Sequence, residues 1–293
     1  LVLRPVGHAW AGLAVLIAAA ALTRGQATST EPAYQDAEKL GVEGKLDEAA
    51  RAYRMLIERH PDDVRALSGL GVVLARQRQY QQAIAAYQKA LEIDPTLPAT
   101  QLNLGLAYFK TGDFRAAVPP LRRALALTPS NLQAATLLGM AYYGAGKYRE
   151  AAVELGKVAA RQPPNTELLY VLAESYLWGG QYDQAVRVFA QLERADPQSA
   201  AAHMLMGEAL DGLGRTSQAI EEFRAAAGVA PNQPNVHFCL GYLYWKEKKF
   251  DHAEQEFLRE LQGDPAHAQA KAYLGDVSLR RRDFDSAVRL LHE

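Results

Sequence analysis

The sequence predicts an all-α fold, a right-handed α-solenoid of eight 34-residue helix–turn–helix repeats. Three observations predict it. Small residues recur at one place in the period: Ala37, Gly71, Gly105, Gly139, Ala173, Gly207, Gly241 and Gly275 lie 34 apart. A second small position, Ala49, Ala83, Ala117, Ala151, Ala185, Ala219, Ala253 and Ala287, keeps the same step. Prolines follow it too, at Pro61, Pro95, Pro129, Pro163, Pro197, Pro231 and Pro265. One supersecondary unit at a fixed period, with no insertion or deletion, is the sequence signature of stacked repeats.

The first element stands outside the period. In residues 1–27, Arg4 and His8 precede an apolar run of 14 residues from Ala9 to Leu22. That run is short for a bilayer span. Gly25 and Ala27 place small residues at the −3 and −1 sites of a signal-peptidase cut. The three-part pattern predicts a cleaved secretory signal, with an uncleaved membrane anchor as the alternative. Export to a periplasm or cell envelope follows as the expected location. No cysteine follows the run to carry a lipid.

The solenoid is expected over residues 28–293, with repeats starting near Thr30, Val64, Pro98, Leu132, Thr166, Ala200, Pro234 and Ala268. Each repeat reads as two amphipathic helices. In the second, Leu67, Leu70, Gly71 and Leu74 mark one face of the first helix at i, i+3, i+4 and i+7. Ala83, Tyr87, Ala90 and Leu91 mark the second helix. Between the helices lie turns such as Thr111-Gly112-Asp113 and Gly179-Gly180-Gln181. Glycine there permits the positive φ that ends a helix. Asp47, Asp183, Asp251 and Asp285 suit the start of the second helix, facing its positive dipole end. The closing proline cannot continue that helix.

Within each pair the small residues let the helices approach. Larger residues such as Tyr87, Leu121, Phe189, Phe223 and Phe257 fill the gap that remains. Pro119 and Pro120 fall within the second helix of repeat three and are expected to kink or loosen it. Repeat one, with Ala37 for glycine and Asp36 where leucine is usual, reads as an N-terminal cap. The chain starts at Leu1, and repeat eight stops at Glu293 before its closing proline, so a longer protein is the expectation.

Repeat three reads Leu104-Gly105-Leu106-Ala107-Tyr108, then Gly112-Asp113-Phe114, Ala117, Leu121, Ala124 and Pro129. This resembles the tetratricopeptide repeat family, and the resemblance covers residues 30–293. It implies a protein-binding solenoid whose inner, concave face is lined by positions 2, 5, 9, 12 and 13 of the first helices. On this chain those positions give a candidate protein-binding groove. It comprises Leu106, Phe109, Met140, Tyr143, Tyr170, Glu174, Trp178, Glu208, Asp211, Phe238, Tyr242 and Trp245. Aromatic anchors beside carboxylates suit a peptide with apolar side chains and some positive charge. The clamp by which some members hold acidic chaperone tails is missing. It needs Lys at position 5 and Asn at position 9, and neither occurs.

Chemistry is sparse. No phosphate loop, C-x-x-C, H-E-x-x-H or G-x-S-x-G motif occurs. His203 and His237 occupy equivalent positions of successive repeats, about 10 Å apart by helix packing, too far to share one zinc ion. They read as packing histidines, and Cys239, the only cysteine, reads as an inert core thiol. Glu174 and Glu208 read as a polar patch for a basic partner. Thus no catalytic residue, metal site or cofactor is expected. With 32 basic and 33 acidic residues and no basic stripe, a nucleic-acid partner is disfavoured.

Two functions remain. The leading one is a non-enzymatic interaction scaffold of the bacterial cell envelope, binding an extended or helical protein segment in the groove. The alternative is the repeat portion of a larger enzyme or secretion machine, with a further domain beyond Glu293. Membrane contact is expected only through the N-terminal segment, if it is retained.

Overall fold

The computed structural model describes residues 31–161 and 165–292. The secretory signal expected over residues 1–27 lies outside them. Sixteen helices and no strand occur among the described residues. The first helices of the repeats are α1 (Glu31–Val42), α3 (Val64–Arg76), α5 (Pro98–Lys110), α7 (Leu132–Gly144), α9 (Thr166–Trp178), α11 (Ala200–Gly212), α13 (Val236–Lys246) and α15 (Ala268–Arg280). The second helices are α2 (Leu46–Arg59), α4 (Tyr80–Ile93), α6 (Phe114–Leu127), α8 (Tyr148–Arg161), α10 (Tyr182–Ala195), α12 (Thr216–Val229), α14 (Phe250–Gly263) and α16 (Phe284–His292). Most starts fall on the expected residue. The seventh repeat begins two residues late because Asn235 adopts φ 65° just after Pro234.

The described residues form two compact units, one up to Ala141 and one from Tyr142 onward, with the boundary inside α7. In the first unit, Tyr34, Tyr53, Val73, Leu74, Ile84 and Tyr87 form the centre of the core. In the second, Leu155, Phe189, Leu192, Leu243 and Phe257 are among the fully enclosed side chains. The small positions act as expected. A Cβ on Gly105 would sit 2.5 Å from Leu121, and one on Gly241 would sit 2.6 Å from Phe257. At these two places a Cβ would force the facing side chain to shift, whereas repeats one and five hold Ala37 and Ala173 at the same position.

The turns repeat one backbone state. Gly44, Gly112, Gly146, Gly180 and Gly214 have φ between 72° and 79°. The same place in the other repeats is held by Arg78, Lys248 and Arg282, at φ 62° to 63°. Each turn closes with the bond pair of a left-handed helix cap, such as Gly112 N–H to Phe109 O and Asp113 N–H to Tyr108 O. Glycine relieves strain at this place, but the repeat does not depend on it.

One local expectation needs correction: the helix α6 runs unbroken through Pro119 and Pro120. Asp47, Asp183, Asp251 and Asp285 lie in the first turn of their helices, at the positive dipole end as expected. The side-chain caps come from other residues, including Asp63, Asp113, Asn165 and Ser199.

Candidate functional site

Position along the first helices decides which of the twelve groove residues can meet a partner. In the first unit, Leu106 is half-buried and lines an open cavity of about 450 Å³. Leu46, Tyr80 and Asn103 share its wall, together with the cations of Arg76, Arg78 and Lys110. Arg76 donates to the Gly41 carbonyl oxygen. Among the described residues, no acid lines this cavity. Phe109 on the same helix is half-buried and meets Phe114 edge-on at 5.2 Å. Met140 is only 4 % exposed and belongs to the core. It is a packing residue and offers no contact surface.

In the second unit the carboxylates are not the open patch that the sequence suggests. Glu174 is 4 % exposed and accepts a hydrogen bond from the Tyr143 hydroxyl at 2.9 Å. Burial and the neighbouring Glu174 charge push the Tyr143 hydroxyl pKa up. Asp211 accepts from Lys246 at 2.6 Å. Glu208 has one carboxyl oxygen enclosed with no hydrogen-bond partner among the described residues. Burial, aided by Asp211, raises its pKa to about 7. These three acids therefore expose little negative charge to a partner.

The aromatic residues divide in the same way. Phe238 is 1 % exposed and packs against His267 at 4.8 Å and against Phe257 and Tyr273 at 6.0 Å. It is a core residue, and its place in the expected groove is corrected. Tyr242 and Trp245 are half-buried, stacked at 6.2 Å, with Tyr273 edge-on to both. The indole of Trp245 donates to Asp276 at 2.6 Å, and Arg280 donates to the same oxygen. Burial opposes ionisation of Asp276, but these donors hold its pKa below the usual range. Tyr170 is half-buried, with its hydroxyl 2.5 Å from Ser199 Oγ. Trp178 is half-buried, and its indole N–H has no partner among the described residues.

One rule links these contacts. Tyr143 to Glu174 and Trp245 to Asp276 are both 31 residues apart. In each, a residue at position 12 donates to an acid at position 9 of the next repeat. For Glu208 the corresponding donor position holds Leu177, which is buried and apolar. This explains the unpartnered carboxyl. The spacing was readable in the sequence, whereas Tyr273, Asp276, Arg280 and the cations around Leu106 were missed. His203 and His237 each pair with a glutamate of the same repeat, Glu222 and Glu256.

Family models described as tetratricopeptide repeat match residues 34–98 and 238–291, 142–209, and 200–233, together more than half of the chain. The chain belongs to the tetratricopeptide repeat family. A model described as anaphase-promoting complex, cyclosome, subunit 3 also matches residues 76–158. No curated protein matches the chain. Among solved structures, MamA MSR-1 is 27 % identical, with 57 % of this chain and 97 % of that one covered and a TM-score of 0.51. YrrB, described as a TPR protein with an unusual peptide-binding site, is 22 % identical, with 68 % and 99 % covered and a TM-score of 0.55. The C-terminal part of a TPR repeat-containing protein from Cytophaga hutchinsonii is 16 % identical, with 82 % and 99 % covered and a TM-score of 0.60. Tetratricopeptide repeat proteins are in general non-enzymatic interaction scaffolds, and this chain shares their fold.

Proposed function

We propose that this tetratricopeptide repeat chain is a non-enzymatic scaffold of the bacterial cell envelope that holds an extended or helical segment of another protein. The observation that carries this reading is the cavity around Leu106. It joins apolar walls at Leu46 and Leu106 to three cations, and among the described residues no acid lines it. Such a site suits an apolar side chain flanked by aspartate or glutamate. The preference is opposite to the basic partner suggested by Glu174 and Glu208 as sequence positions. Their burial and the neutralising shift at Glu208 account for the difference.

Export is part of the same proposal and rests on the signal pattern of residues 1–27. Mass spectrometry of the exported protein should find an N-terminus near Thr28. An intact Leu1 terminus on a membrane-bound product would overturn cleavage. Binding is tested by panning a random peptide display library on the chain. Enriched peptides should carry an apolar residue beside acids, and Leu106→Asp with Lys110→Glu should abolish enrichment while thermal stability is kept. Enrichment that survives both substitutions would place the binding elsewhere.

A further inference from the structure

We infer that Glu193, His203 and Glu222 form a binding site for a divalent transition-metal ion of the zinc type. They come from α10, α11 and α12, and one ligand atom of each lies within 4.8 Å of the others. Nδ1 of His203 is 2.8 Å from Glu222 Oε2, and Nε2 is 3.2 Å from the Pro197 carbonyl oxygen. A carbonyl can only accept, so Nε2 carries a proton and donates it. A metal-binding imidazole is oriented in this way, with one nitrogen held by a backbone carbonyl; the other, Nδ1, shares a proton with Glu222, and an ion would take the place of that proton and release it to solvent. Imidazole and carboxylates at about 2.0–2.2 Å suit zinc, with a water completing the tetrahedron. Both glutamates are half-buried, and their carboxylates would adjust around the ion to zinc–oxygen bonds of about 2.0–2.2 Å.

A comparison within the chain separates this cluster from ordinary packing. In the next repeat, His237 makes the same two contacts, with Glu256 at 2.6 Å and the Pro231 carbonyl at 3.2 Å. There the place of Glu193 is taken by Ala227, and Arg259 donates to Glu256 at 2.6 Å. The counterpart of Arg259 in the proposed site is Ala225. So one pair has a protein cation, while the other lacks it and carries a second carboxylate. No Lys or Arg pairs with Glu193 or Glu222 among the described residues. Two carboxylates around one imidazole leave negative charge even when the ring is protonated. Where repeat one meets repeat two the three equivalent places are Ile57, Leu67 and Ala86, an apolar crossing. A bound ion would tie the second helix of repeat five to both helices of repeat six.

The test is isothermal titration of the full chain with zinc chloride at pH 7.5, alongside thermal melts. One site is expected, with a zinc-dependent rise in melting temperature. Glu193→Leu installs the residue of Leu91, Leu125 and Leu261 at this place, so it keeps the fold. It should weaken zinc at least about tenfold and remove the thermal shift, as should His203→Gln. His237→Gln should leave both unchanged. Absence of zinc binding in the parent chain would overturn the site. So would undiminished binding in Glu193→Leu, or equal loss in His237→Gln.

Discussion

At the scale of single residues, Glu208 and the left-handed turn residues give the sharpest consequences. Glu208 has a folded pKa of about 7, above the ordinary glutamate range. Between the unfolded and folded values the native state holds the extra proton, so stability falls as pH rises through this window. The penalty is absent below the unfolded pKa and complete above about pH 7. Its size is on the order of 3 kcal/mol. Denaturant melts from pH 4 to 8 should show Glu208→Gln gaining on the parent as pH rises. A constant difference across that range would refute the burial argument. At the turn, Lys248 holds φ 62° where other repeats use glycine. Lys248→Gly should stabilise by roughly 0.5–1 kcal/mol, and Gly180→Ala should cost about 1 kcal/mol, measured by urea melts.

At the scale of helices, the contacts that join one repeat to the next were only partly legible. Apolar spacing gave the helices and the small residues gave their close approach, because both are local to one repeat. The fates of Trp178 and Trp245 were not legible, since both look like aromatic anchors at adjacent positions of a first helix. The structure separates them. Trp245 on α13 is tied to Asp276 on α15 and flanked by Tyr242, Tyr273 and Arg280. Trp178 has an indole N–H with no partner among the described residues. Trp245→Ala should therefore cost about 3 kcal/mol or more, as large-to-small changes at packed rings do. Trp245→Phe should recover the packing but lose the hydrogen bond, at about 1 kcal/mol. Trp178→Ala should destabilise less than Trp245→Ala in thermal melts. The reverse order would mean that the Asp276 bond contributes nothing to holding α13 on α15.

At the scale of the whole chain, the period implies that energy is shared between neighbours and little further. The substantial helix contacts within each unit join elements one or two apart in the chain. Stability is then close to a sum of repeat and interface contributions. A local insult should spread to adjacent repeats and stop. Gly207 provides that insult, because a Cβ there would meet the Phe223 ring at 2.8 Å. Gly207→Leu forces α11 away from α12 and should cost roughly 1–3 kcal/mol. Since α11 also touches α9 and α10, and α12 touches α13, these helices should loosen with it. Hydrogen exchange read by mass spectrometry should rise over residues 166–246 and stay at parent levels over residues 31–110. A uniform rise over all described helices would show one cooperative unit, and the nearest-neighbour account would fail. A rise confined to α11 and α12 would show that the interfaces between repeats carry less of the stability than the packing within each pair.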